Sequence, residues 1–182
     1  MLLAEGFELI EAMAPADVLR RGGAGFRLVS LDGKPVMSAH KVEIKADLPL
    51  SKANAEDAEM VILPGGGQGV KNLAGSPAVL QFVREAYELG AYIAAICAAP
   101  SILADMGLLK GREAVCFPDP AFVERLKTGG AAYREDASVI ADGPVITAKA
   151  AGTSLDFGLT LLELLKGPEA AEQVKNAMYY NI

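Results

Sequence analysis

Short apolar runs, each closed by glycine, proline or a polar turn, alternate along this chain with longer stretches whose apolar positions fall three and four apart. The short runs predict buried strands and the longer stretches amphipathic helices. Residues 1–4 make a first, short strand. Leu9, Ile10, Met13, Ala14, Ala16, Val18 and Leu19 then keep helical spacing as far as Arg20-Arg21 and a Gly22-Gly23 stop, with Pro15 predicting a bend. Residues 26–31 predict a second strand ending at Asp32-Gly33. Residues 36–38 and 41–46 predict an antiparallel excursion, because Val42-Glu43-Ile44-Lys45 alternates.

The continuous apolar run at 60–63 leads into Pro64-Gly65-Gly66-Gly67, and after that loop Ser76 caps a helix over 76–89, stopped by Gly90. Residues 91–96 predict a buried strand and 98–106 a helix, so Cys97 falls at the turn between them. A short strand at 114–117, a helix over 121–127, a strand or hairpin over 133–140 and a buried strand at 144–148 follow. Ala151-Gly152-Thr153-Ser154 caps a helix over 155–166, and 169–178 is a terminal helix. Strands alternating with helices in this way predict a doubly wound α/β sandwich on a mainly parallel sheet, with its site at the carboxyl ends of the strands.

Composition narrows the possibilities. With 182 residues and 52% apolar content, one domain over 1–182 is expected. The apolar runs fall short of a bilayer span, and the start lacks a secretory pattern, which predicts a cytoplasmic protein without a membrane segment. A count of 17 basic against 23 acidic residues argues against a general nucleic-acid surface. Two cysteines and one histidine supply no zinc ligand set and predict reduced thiols, so no metal is expected.

Chemistry concentrates at the predicted carboxyl edge. A thiol at a helix N-terminus faces unpaired amides and the positive end of the dipole, which lowers a cysteine pKa from about 8.5 to roughly 3.5–7.5; the competing reading of Cys97 is a small core residue. Gly65-Gly66 lets backbone N–H groups approach a ligand, as an oxyanion hole or as a plain tight turn. Glu11 lies on a largely apolar helix, where an inward carboxyl is desolvated and becomes a general acid/base near neutral pH. A salt bridge to Arg20 or Arg21 is its competing fate. Glu8 reads as a solvated charge, and His40 as an exposed histidine.

Four stretches in order, Ala4-Glu5-Gly6-Phe7-Glu8-Leu9-Ile10-Glu11, Leu63-Pro64-Gly65-Gly66, Ala94-Ala95-Ile96-Cys97-Ala98-Ala99-Pro100 and Gly152-Thr153-Ser154, resemble the ThiJ/PfpI superfamily over nearly the whole chain. Within it the chain is most similar to the Parkinson-disease-protein (DJ-one) clade and its bacterial relatives named for thiazole biosynthesis. The resemblance implies a flavodoxin-like sandwich that forms homodimers and needs no cofactor. It implies Cys97 as the nucleophile on an elbow, Glu11 as a protonated carboxyl hydrogen-bonded to it, and the N–H groups of Gly65, Gly66 and Ala98 as the oxyanion hole.

The activity implied is a glutathione-independent glyoxalase, or a deglycase of early adducts, acting on methylglyoxal-type 2-oxoaldehydes under carbonyl and oxidative stress. The alternative implied is a redox sensor or chaperone working through Cys97 oxidation; an amidase or peptidase ranks last. The chain departs from the family at Phe117, where many members carry histidine, so a Cys-His dyad is not available. It departs again at Ala150-Ala151 in place of Gly-Pro, at Lys149 in place of arginine, and in a late first strand.

Overall fold

A computed structural model describes residues 1–180. The chain runs through β1 (Leu2–Leu3), α1 (Leu9–Arg21), β2 (Val29–Ser30), β3 (Val36–Met37), β4 (Glu43–Ile44), β5 (Leu48–Pro49) and β6 (Met60–Leu63). Next come α2 (Gly67–Ala74), α3 (Pro77–Glu88), β7 (Tyr92–Ile96), α4 (Pro100–Asp105), β8 (Glu113–Ala114), α5 (Pro120–Thr128) and β9 (Ala132–Tyr133). β10 (Val139–Asp142), β11 (Val145–Ala148), α6 (Ser154–Lys166) and α7 (Pro168–Ala177) complete it.

The centre is a ladder in the order β10-β11-β7-β6, with β6, β7 and β11 parallel and β10 an antiparallel edge. A second parallel ladder, β1-β2-β5, continues beside it, with β1 next to β6. Alternate residues of each central strand enter different cores. Leu2, Val61, Leu63, Ile93 and Ala95 pack with Val70, Leu73, Val79, Val83 and Ile102 of α2, α3 and α4. Leu3, Ile62, Ala94, Ile96, Ile146 and Ala148 pack with Ala12, Val18, Leu19, Phe157 and Leu161 of α1 and α6. A sheet covered on both faces is what the near-continuous apolar strands require, and the doubly wound, mainly parallel α/β sandwich expected from the sequence is the one observed. Side chains such as Ile93, Ile96 and Leu63, wholly out of solvent, each contribute roughly 1.5–3 kcal/mol by burial.

Several expectations shift. The predicted strand over 26–31 is regular only at Val29–Ser30. β5, which pairs with β2 through Leu48 and Pro49, has no sequence signal, since proline reads as a break. Residues 67–74, taken as loop because of Gly67 and Gly69, form α2, whose Val70 and Leu73 reach the core. Ser76 accepts from the Val79 N–H at 3.4 Å, as a cap should. Pro15 sits inside an unbroken α1 on its buried side. No helix among the described residues is long and apolar enough to cross a membrane.

Candidate active site

β7 ends at Ile96, and the chain reverses through Cys97 with φ of 66°, in the left-handed region that L-residues with a side chain rarely occupy. Such a position costs on the order of 1–3 kcal/mol and persists only where the surroundings fix it. Here the Cys97 N–H donates to Ala148 O at 2.9 Å, and Cys97 O accepts from the Phe117 N–H at 2.8 Å. The strand-to-helix turn therefore holds the thiol out at the carboxyl edge of the sheet, in the geometry of a nucleophile elbow.

Glu11 lies in the first turn of α1 and is 1% exposed. Its carboxyl lies beside the Cys97 side chain, and its Oε2 accepts from the Gly65 N–H at 3.0 Å. Burial pushes its pKa up to about 7, with the Glu8 charge adding and the Cys97 side chain and the Gly65 N–H opposing. A carboxyl that titrates near neutrality can take and return a proton. Arg20 pairs instead with Asp47 at 3.2 Å and Arg21 with Asp17 at 2.7 Å, which leaves Glu11 to the thiol.

Two expectations need correcting. Gly65 is not a free oxyanion donor, because its N–H is committed to Glu11; the amides of Gly66 and Ala98 are the ones that act on Cys97, pulling its pKa down against burial. The thiol pKa also moves the other way. Burial pushes Cys97 well above the ordinary thiol range, the Glu11 carboxylate adds to the rise, and the two amides offset only part of it. The helix contributes less than expected, since α4 starts at Pro100 rather than Ala98 and is only six residues long. The thiol and carboxyl are one coupled pair, and a second negative charge beside the first is what burial resists.

The glycines at 65 and 66 are steric necessities. A Cβ at Gly65 would run into Glu11 Oε2 and lie 2.7 Å from Cys97 Cβ. At Gly66, where φ is 94°, it would lie 2.6 Å from Glu8 N and collide with Gly6 O. Phe117 is 42% exposed and one backbone hydrogen bond from Cys97. Lys149 Nζ donates to Glu135 O at 2.6 Å. Thr153 and Ser154 donate to Ala150 O and Ala151 O at 2.8 and 2.7 Å, so they shape the entry to α6.

Volume does not mark this place. An open groove of about 790 Å³ lies between α6 and α7, and one of about 570 Å³ at the amino ends of β1 and β6. Neither is lined by Cys97 or Glu11. Among the described residues no three His, Cys, Asp or Glu side chains gather as a metal-ligand set. What the sequence reading missed is a contact beside the site: His40 Nε2 lies 3.2 Å from Glu8 Oε2.

Fold and site together define a flavodoxin-like α/β protein with a cysteine on a strained elbow and a buried carboxyl against it. The sequence pattern of the DJ-1/PfpI family matches residues 1–164, and the chain belongs to that family. It is 37% identical to the Parkinson disease protein 7 homolog of Danio rerio, over 96% of this chain and 93% of that protein. It is 32% identical to the glutathione-independent glyoxalase DJR-1.2 of Caenorhabditis elegans, over 93% of this chain and 88% of that one. The crystal structure of Drosophila melanogaster DJ-1beta superposes with a TM-score of 0.92 at 33% identity, covering 100% of this chain and 96% of the other.

Proposed function

We propose that the protein is a cysteine-dependent glyoxalase that converts methylglyoxal-type 2-oxoaldehydes to 2-hydroxy acids without glutathione or another cofactor. The observation that carries this is the buried Glu11 carboxyl, placed beside Cys97 and pushed up toward neutrality by burial. Cys97 is pushed up, so a standing thiolate is not the starting point; Glu11 takes the thiol proton as sulfur adds to the aldehyde carbon. The new oxyanion forms beside the Gly66 and Ala98 amides and takes the proton from Glu11, giving a hemithioacetal and returning Glu11 to the carboxylate. Glu11 then removes the proton from that carbon, and the enediol is reprotonated on the neighbouring carbon, which leaves a thioester of lactate on Cys97. Water cleaves the thioester, releasing lactate and the thiol, so the balance is methylglyoxal plus water to lactate.

The relative named a glyoxalase supports this reading, as does the absence of any step that asks for a second cysteine or a histidine. Early adducts of the same aldehydes, the deglycase substrates, present the same carbon to the same sulfur. We place the enzyme in the cytoplasm, where reduced Cys97 and Cys116 are at home, folded as one domain and acting as a homodimer. The exposed Ile10 on α1 and Val42 on the β3–β4 hairpin, 51% and 42% exposed, support a covering partner, which light scattering checks.

The test is lactate formed from methylglyoxal in the absence of glutathione, by the wild type and by Cys97→Ser. Turnover by the wild type and its loss in the variant are expected; lactate from both, or from neither, overturns the proposal. A second reading, a redox sensor or chaperone, draws on the same Glu11, which can donate a hydrogen bond to a Cys97 sulfinate. A wild type that makes no lactate but is oxidised at Cys97 by mild peroxide would favour it.

A further inference from the structure

The only histidine of the chain, in the tight turn between β3 and β4, is brought against Glu8 by contacts far apart in sequence, with its side chain 71% exposed. The Ala39 N–H donates to Phe7 O at 2.8 Å, and the Gly6 N–H donates to Met37 O at 2.8 Å. The turn itself is closed by the Lys41 N–H to Ser38 O at 3.1 Å and the Val42 N–H to Ser38 Oγ at 3.0 Å, with Lys41 at a φ of 63°. A non-glycine residue in that region marks a turn held by its surroundings. It presents the His40 ring to Glu8, with Nε2 3.2 Å from Oε2.

Glu8 is itself fixed to the site. Its N–H donates to Gly65 O at 3.0 Å, in the loop whose next amide acts on Cys97, and its carboxylate is 21% exposed. It precedes Glu11 by three residues at the start of α1, so the two carboxyls share one helical face.

We propose that His40 is a positioning residue for the Cys97 site, acting through Glu8: the exposed ring holds the Glu8 carboxylate through Nε2 and draws its charge away from Glu11. The groups facing Glu8 are His40 from the β3–β4 turn, Glu11 from α1 and peptide groups from the 64–66 loop. The other carboxylate of this loop, Glu5, is committed to the Met37 N–H at 3.1 Å. Among the described residues His40 is the one basic side chain within ion-pair distance of Glu8. A bare Glu8 charge raises the proton affinity of Glu11, and that direction follows from like charges in a shared, partly desolvated space.

The inference rests on the reading of Glu11 as the proton carrier, and its test does not need turnover. In the full chain labelled with ¹³C-glutamate, the Glu11 carboxyl signal, assigned by its absence in Glu11→Gln, is followed from pH 4 to pH 9. His40→Gln should raise the Glu11 midpoint by about half a pH unit and Glu8→Gln should lower it by a comparable step. In the Glu8→Gln background His40→Gln should have no further effect, and His40→Lys alone should return the midpoint to the wild-type value or below. An unchanged midpoint in His40→Gln, or the same shift in both backgrounds, overturns the coupling. A Glu11 midpoint at the ordinary carboxyl value in the wild type overturns both the coupling and the site reading, whereas absent lactate formation with the shifts in place overturns the proposed reaction alone.

Discussion

Cys97 and Cys116 are joined through a short piece of backbone, since Phe117, which follows Cys116, donates its N–H to Cys97 O. Their surroundings nevertheless differ in kind. Cys116 is 0% exposed, its Sγ donates to Phe117 O at 3.3 Å, and burial with the Asp119 charge pushes its pKa up to about 12. Burial pushes Cys97 up as well, although two amides pull it part of the way back down. Thiol acidity in the resting state is therefore not what separates them. The difference is that Cys97 has a carboxyl beside it that can accept its proton, whereas the Cys116 thiol meets only a peptide carbonyl and the Asp119 charge.

The largest break in the comparison comes from exchanging the sulfur. Cys97→Ser should lower methylglyoxal turnover at least about 100-fold, because serine is a far weaker nucleophile beside a base of this strength. Cys116→Ser should stay within about twofold of the wild type, any loss being one of packing rather than chemistry. Removing the proton carrier comes next. Glu11→Gln keeps the shape and the Gly65 contact but cannot accept a proton, and should cost roughly 100- to 10,000-fold in kcat, the range for a positioned acid/base.

Stability offers a smaller, independent handle on Glu11. Burial pushes the folded carboxyl up to about 7 from its ordinary 4.5, so its protonated form favours the folded state. That contribution is fully present below pH 4.5 and is lost as pH rises to and through 7. Relative to Glu11→Gln, the wild type should lose roughly 3 kcal/mol over this window, read from urea midpoints at each pH. The smallest effect is selective oxidation. Mild peroxide should add two oxygens at partly exposed Cys97 and leave buried Cys116 unchanged in peptide mass spectra.

Much of the centre was legible before any coordinates. Ala94-Ala95-Ile96-Cys97-Ala98-Ala99-Pro100 has the apolar run, the abrupt small-residue turn and the proline at a helix start that together define an elbow. Glu11 stood out as a charge among apolar neighbours at helical spacing. The direction of the Gly65 N–H was not legible, because sequence names a glycine but not the carbonyl or carboxyl its amide meets. The Glu8–His40 pair was hidden for a related reason: 32 positions separate the two, and only the docking of the β3–β4 turn on Phe7 brings them together. β5 and α2 escaped because Pro49, Gly67 and Gly69 argue against regular structure locally, and tertiary packing of Leu48, Val70 and Leu73 overrides them.

The sign of one titration tests the pairing of Cys97 with Glu11 most directly. Ultraviolet absorbance of the thiolate is followed against pH in Cys116→Ser and in the same background carrying Glu11→Gln. If Glu11 acts as the base, the thiol of the parent ionises next to a carboxylate, and removing that charge should lower the Cys97 midpoint while turnover collapses. A midpoint that rises in Glu11→Gln would mean that a neutral Glu11 had been stabilising the thiolate by donating to it, and an unchanged midpoint with turnover retained would take Glu11 out of the reaction; either result contradicts the proton path from Cys97 to Glu11.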